Sequence, residues 1–205
     1  MLDAPRTQPI CAVMTCLSSF PDSYRALIVG ASGGIGRALT NQLINDPRCG
    51  AVFAASRSGV PVEGATSLTL DFDHPQSIED AIAQATAEGG LHLVVVAAGV
   101  LVDETGRGPE KSWRQIDPEY MAEVFKINTI GPALVARYAL EALAKGSKEA
   151  PEKSVFAALS ARVGSISDNR LGGWHSYRAS KAALNQILKT CSIELARKRP
   201  NAACI

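Results

Sequence analysis

With 205 residues, 46% of them hydrophobic and 20% charged, and a formal net charge of +1, the chain has the balance of one soluble globular domain and offers no basic field for nucleic acid. Five scattered cysteines without a CxxC pair and only three histidines argue against a disulfide framework or a metal site. The longest apolar stretch, LHLVVVAAGVLV, is too short to cross a bilayer, so a cytoplasmic, reduced protein is expected.

The first 24 residues carry three prolines and no sustained period, and are expected to form a disordered or irregular leader, with Met14 an alternative start. From 25 to 205 the pattern alternates. RALIV reads as a strand that ends in glycines, 35–46 as a helix stopping before Pro47, AVFAAS as a second strand and TSLTLDF as a third. A helix over 77–87 closed by Gly89 and Gly90 leads to a fourth strand, LHLVVVAAG, and KSVFAAL forms a fifth between long helices over 118–145 and 175–199. Strands apolar on both faces, alternating with helices, predict an α/β fold with a doubly wound parallel sheet covered on both sides.

Where the first strand becomes the first helix stands VGASGGIGRAL. Gly30, Gly34 and Gly36 fit a GxxxGxG spacing and Gly30, Gly33 and Gly36 fit GxxGxxG, so spacing alone does not assign a subfamily. Glycines there permit a tight turn and let a pyrophosphate approach free amides at a helix N-terminus, which predicts dinucleotide binding. An NAD site usually offers a carboxylate at the end of the second strand, but AASRSGVPV has none before Glu63. Ser56 and Arg57 stand there instead, and a guanidinium beside a hydroxyl suits the 2′-phosphate of NADP.

The stretch SYRASKAALN places Tyr177 and Lys181 four positions apart, on one face of a helix. A free phenol has a pKa of ~10, so ionising it near neutral pH needs roughly 4 kcal/mol of differential stabilisation. A lysine one turn away and an oxidised nicotinamide together could supply that.

With the glycine loop, the Tyr-x-x-x-Lys pair and a serine after the preceding strand, the sequence resembles the short-chain dehydrogenase/reductase family from residue 25 to 205. Within it, ALSARVGSISDNRLGGWHSYRASKAALN looks most like the C-factor and sniffer-like carbonyl reductases. The resemblance implies a Rossmann-type fold and a general acid/base in Tyr177. Lys181 would bind the nicotinamide ribose and tune the phenol, Ser160 would orient the substrate carbonyl, and Asn128 would hold a water in the proton relay. It further implies cofactor contacts at Gly30, Ser32, Gly33, Gly34, Ile35, Gly36, Ser56, Arg57, Asp71, Phe72, Ala98 and Gly99, as well as at Tyr177 and Lys181. Ser165 and Ser167 are rivals to Ser160, Asn128 could be a buried helix residue bonded to backbone, and Asp71 could cap a turn before His74.

Two departures from the family pattern stand out. The fourth strand ends in Val-Ala-Ala-Gly, 96–99, where the family usually has Asn-Asn-Ala-Gly, so apolar packing is expected to replace a polar contact. The chain stops at NAACI, in the expected sixth strand, so the family's last strand and substrate-covering segment are expected to be missing, with an edge and a helix face left uncovered.

The resulting expectation is an NADPH-dependent oxidoreductase acting on a small carbonyl or alcohol. The alternative is a dinucleotide-binding signalling protein of C-factor type with little turnover. A homo-oligomer through the two long helices is also expected, because Ala183, Leu184, Ile187, Leu188, Cys191 and Leu195 give the second helix more apolar coverage than one stripe requires.

Overall fold

The structure, a computed structural model, describes residues 17–205. Met14 and most of the expected leader lie outside these residues. In the remainder, residues 17–23 carry only turns and a bend, Phe20 is nonetheless buried, and Tyr24, also buried, opens the first strand one residue before the expected start at 25. Arg48 gathers this segment by donating to the Leu17 and Phe20 carbonyls and, over 2.8 Å, to Asp22.

Six strands form one parallel sheet: β1 (Tyr24–Val29), β2 (Cys49–Ser56), β3 (Thr66–Thr69), β4 (Leu93–Val96), β5 (Ser154–Ala158) and β6 (Ala202–Cys204). Their order, β3-β2-β1-β4-β5-β6, is the doubly wound Rossmann-type arrangement, and its direction reverses between β1 and β4. Strand alternation divides the core. Leu27, Val29, Phe53, Val94, Val96 and Phe156 face one side with Ile78, Val135 and Leu184 from helices α2 (Pro75–Thr86), α4 (Gly131–Ala142) and α5 (His175–Lys198). Ala26, Ile28, Val52, Ala54 and Val95 face the other with Leu43 of α1 (Gly34–Ile44). Val96, at the place of the expected amide, is only 1% exposed, so apolar packing does fill that part of the sheet.

The uninterrupted helix expected over 118–145 is instead three pieces: α3 (Pro118–Phe125), a π-helical turn (Lys126–Ile130) and α4. α4 stops at Ala142 because Leu143 turns extended to pair with Leu91. The third strand is also shorter than the expected 66–72, since Asp71 leaves it to enter a turn closed by Ser77 and His74. On α5, Leu184, Leu188 and Leu195 are taken up by the core, while Ala183, Ile187 and Cys191 stay half-buried. Among the described residues no helix is long and apolar enough to cross a membrane.

Candidate active site

A cavity of about 300 Å³ opens at the strand C-termini beside the β1/β4 switch point, where diverging connections leave a crevice. Of the expected cofactor residues, Gly30, Ser32, Gly33, Ser56, Arg57, Asp71, Phe72, Ala98 and Gly99 line it; Gly34, Ile35 and Gly36 continue into α1, and Tyr177 and Lys181 stand outside its wall.

The glycines of the loop are not equivalent. Gly30 has φ +88°, and a Cβ there would sit 2.7 Å from the Ala98 nitrogen; a Cβ at Gly36 would sit 2.1 Å from the Gly30 carbonyl oxygen. These two close the turn on itself. At Gly34 a Cβ would meet nothing within 4 Å, so the space faces outward, as an approaching ligand requires. No side chain caps α1, and its first amides stay free for an anion. Cavity, close-packed turn and uncapped helix start together fit a dinucleotide, whose pyrophosphate Gly30 to Gly36 could hold.

At the end of β2, Ser56 is buried and Arg57 exposed. The local sequence offers no carboxylate there, yet Arg57 does have one: Glu104, from the connection after β4, accepts its Nη2 hydrogen at 2.7 Å. This partner escaped sequence reasoning because it lies 47 positions along the chain. Asp71 accepts from the Asp73 amide at 3.0 Å and pairs with His74 at 3.1 Å, so it does close a turn as well as line the cavity. The hydrogen bond from the Asp73 amide, opposed by burial and assisted by His74, holds the Asp71 carboxyl below the usual value. Phe72 packs closely on the first residue of α4: a Cβ on Gly131 would stand 2.3 Å from its ring.

Tyr177 and Lys181 do share a face of α5, with the Lys181 Nζ 5.9 Å from the phenol ring centroid. Lys181 is 4% exposed and donates over 2.8 Å to the carbonyl of Leu159, the residue before Ser160. Burial lowers the Lys181 pKa and raises that of Tyr177, so within the protein alone the phenol is held protonated rather than driven towards phenolate. Ser160 is exposed beyond the end of β5, whereas its rival Ser165 accepts from the Asp168 amide and lies 3.5 Å from the Ser167 hydroxyl.

Asn128 is fully buried in the π-helical turn. Its Oδ1 accepts from the Val100 amide at 2.8 Å, and its Nδ2 donates to the Val100 carbonyl at 2.9 Å and to the Ser180 hydroxyl at 3.3 Å. The wider π turn also brings the Thr129 hydroxyl to the Ser180 carbonyl at 2.8 Å, fastening α5 to the exit of β4. Gly99 joins the two halves of the site: it lines the cavity, and a Cβ there would lie 3.3 Å from Asn128 Oδ1 and 3.5 Å from Lys181 Nζ.

Other site residues went unnoticed in the sequence. Gly164 lets its short 3₁₀ turn rest on α5, since a Cβ would stand 2.9 Å from that of Lys181. Glu110 is buried against the first turn of α5. No local pattern marks either residue; the GSIS and GPEK settings read as ordinary loops.

The family model of the short chain dehydrogenase matches residues 24–205. Among curated proteins, a 1-hydroxy-2-glutathionyl-2-methyl-3-butene dehydrogenase of Rhodococcus sp. (strain AD45) is 31% identical over 170 residues, 78% of this chain and 66% of its own length. The C-signal of Myxococcus xanthus is 36% identical over 80 residues, 39% of this chain and 45% of its own. The chain thus spans less than two thirds of the length of both. An NADPH-bound carbonyl reductase from chicken fatty liver superposes with a TM-score of 0.74 at 26% identity, over 91% of this chain and 76% of that one. The C-signal and this carbonyl reductase agree with the closer likeness read from residues 158–185. With the switch-point cavity, the glycine turn and the Tyr177/Lys181 face in one connected arrangement, the chain belongs to the short chain dehydrogenase family.

Proposed function

We propose that the protein is an NADPH-dependent oxidoreductase that interconverts a carbonyl and an alcohol. The observation that carries this reading is the meeting at Gly99, where the floor of the nucleotide-sized cavity comes within contact of the buried Lys181 ammonium one helical turn from Tyr177. A bound nicotinamide dinucleotide would supply the hydride. In the reductive direction Tyr177, kept protonated by burial, gives its proton to the carbonyl oxygen, and the exposed Ser160 hydroxyl donates a hydrogen bond to the same oxygen as charge develops there. Lys181, anchored on the Leu159 carbonyl, keeps a positive charge beside the phenol and within reach of a ribose hydroxyl. Preference for the 2′-phosphorylated cofactor follows from Arg57 at the cavity rim. Its pair with Glu104 is solvent-exposed and therefore weak, so a phosphate competes for it. The homo-oligomer belongs to the same reading, through the half-buried Ala183, Ile187 and Cys191.

Loss of NADPH absorbance with a panel of small carbonyls tests the proposal directly. Tyr177→Phe should lower turnover at least ~100-fold while NADPH affinity stays within about twofold; normal turnover in this variant would remove Tyr177 from the proton transfer. The similarity to the C-signal favours a second reading, a dinucleotide-binding signalling protein. Saturable NADPH binding with no turnover across the panel would select it.

A further inference from the structure

We propose that Glu110 is a positioning residue for the proton-transferring end of the site: its carboxylate clamps the first turn of α5 and thereby fixes Trp174 and Tyr177. This rests on the oxidoreductase reading for its catalytic consequence, but not for its geometry.

The approach to α5 is an unusual piece of backbone. Gly172, Gly173 and Trp174 have φ of +65°, +65° and +56°, three left-handed residues in succession. Glycine adopts this conformation freely, but a tryptophan does so only when its surroundings impose it. Glu110 imposes it from two directions. Its main-chain carbonyl accepts from the Trp174 amide, and its side chain, 4% exposed, accepts from the Ser176 amide at 3.1 Å and from the Ser176 hydroxyl. A buried carboxyl group thus meets the start of a 24-residue helix, where the amides have no partner within the helix. The result is local to the chemistry, because Trp174 meets the Tyr177 ring edge-on at 6.2 Å between centroids and Tyr177 follows Ser176 directly.

The segment carrying Glu110 is itself braced. Asp103 and Arg107 pair at 3.0 Å, Arg107 reaches Asp117 at 2.8 Å and lies 5.0 Å above the Tyr120 ring, and the Tyr120 hydroxyl donates to the Leu101 carbonyl at 2.8 Å. Across the contact, Gly173 packs against the Glu110 and Lys111 carbonyls. The clamp therefore connects a fixed post to the strained entry of α5.

Trp113 and Trp174 are the two tryptophans of the chain, so Trp113→Phe leaves Trp174 as the single emitter. In that background Glu110→Ala should move Trp174 emission to longer wavelength and raise its quenching by acrylamide about twofold as the left-handed turn relaxes. Turnover should fall about tenfold or more with the KM for NADPH within twofold, because misplacement acts on the reacting groups and leaves the glycine turn and the β2 end of the cavity alone. Glu110→Gln, which keeps one acceptor oxygen, should restore part of both signals. Should Glu110→Ala not fold, Ser176→Ala removes only the hydroxyl leg and should give smaller changes in the same directions. Unchanged Trp174 emission and quenching in a folded variant would overturn the clamp. Changed emission with undiminished turnover would overturn its positioning role. If the parent protein shows no turnover, the oxidoreductase reading fails, and the emission measurements still decide the clamp.

Discussion

At the cavity, Gly30 and Gly36 are held by backbone geometry inside one strand-to-helix turn, whereas at the other end Ser176 is held by Glu110, 66 positions away, and Lys181 by Leu159, 22 positions away. The proposed cofactor end is thus built from main chain and depends on what is absent, a Cβ. The proposed proton-transfer end is built from side chains reaching across elements and depends on what is present. Small additions should therefore damage the first region and small deletions the second.

The largest effect is expected from Gly36→Ala, whose new methyl has backbone rather than a flexible side chain in its way. It should destabilise the protein by about 3 kcal/mol, read as a shift in the denaturant midpoint. Gly34→Ala, two residues earlier, faces open space and should stay within about 0.5 kcal/mol of the parent. Equal effects at the two positions would break the distinction between closing and outward-facing glycines.

Deletion at the other end comes next. Asn128→Ala leaves the Val100 amide and carbonyl without their partner and should cost about 1–3 kcal/mol in the same measurement, with part of the loss appearing as weaker attachment of α5. Faster amide exchange in the first turns of α5 would show that attachment; exchange unchanged there would mean that Ser180 and Thr129 hold the helix alone.

The smallest effects belong to the exposed rim. Arg57→Ala should weaken NADPH binding roughly tenfold and leave NADH nearly unchanged. Glu104→Gln, which frees the guanidinium, should tighten NADPH by a smaller factor, most visibly at low salt. Equal losses for both cofactors in the first variant would remove Arg57 from the 2′-phosphate site.

How much was legible follows the same division. The strand and helix sequence was readable because burial on both faces turns RALIV and LHLVVV into nearly continuous apolar runs, because the helices carry a period near four, and because Gly, Pro and Asn mark the ends. The π-helical turn was not readable: KINTI has the composition of ordinary helix, and the widening answers contacts to Val100 and Ser180 made only in the folded chain. Glu104 shows the same limit, an unremarkable loop acid until the connection after β4 brings it to Arg57.

By itself, then, the sequence determined the alternation of the layers, the glycine turn and the shared face of Tyr177 and Lys181, since each is decided within one or two helical turns of chain by steric limits and burial. Tertiary structure alone decided that Gly99 joins cavity to lysine, that Asn128 ties β4 to α5, and that a buried Glu110 meets the start of α5. Such contacts depend on where separate elements pack, and a short stretch of residues carries no trace of its distant partner.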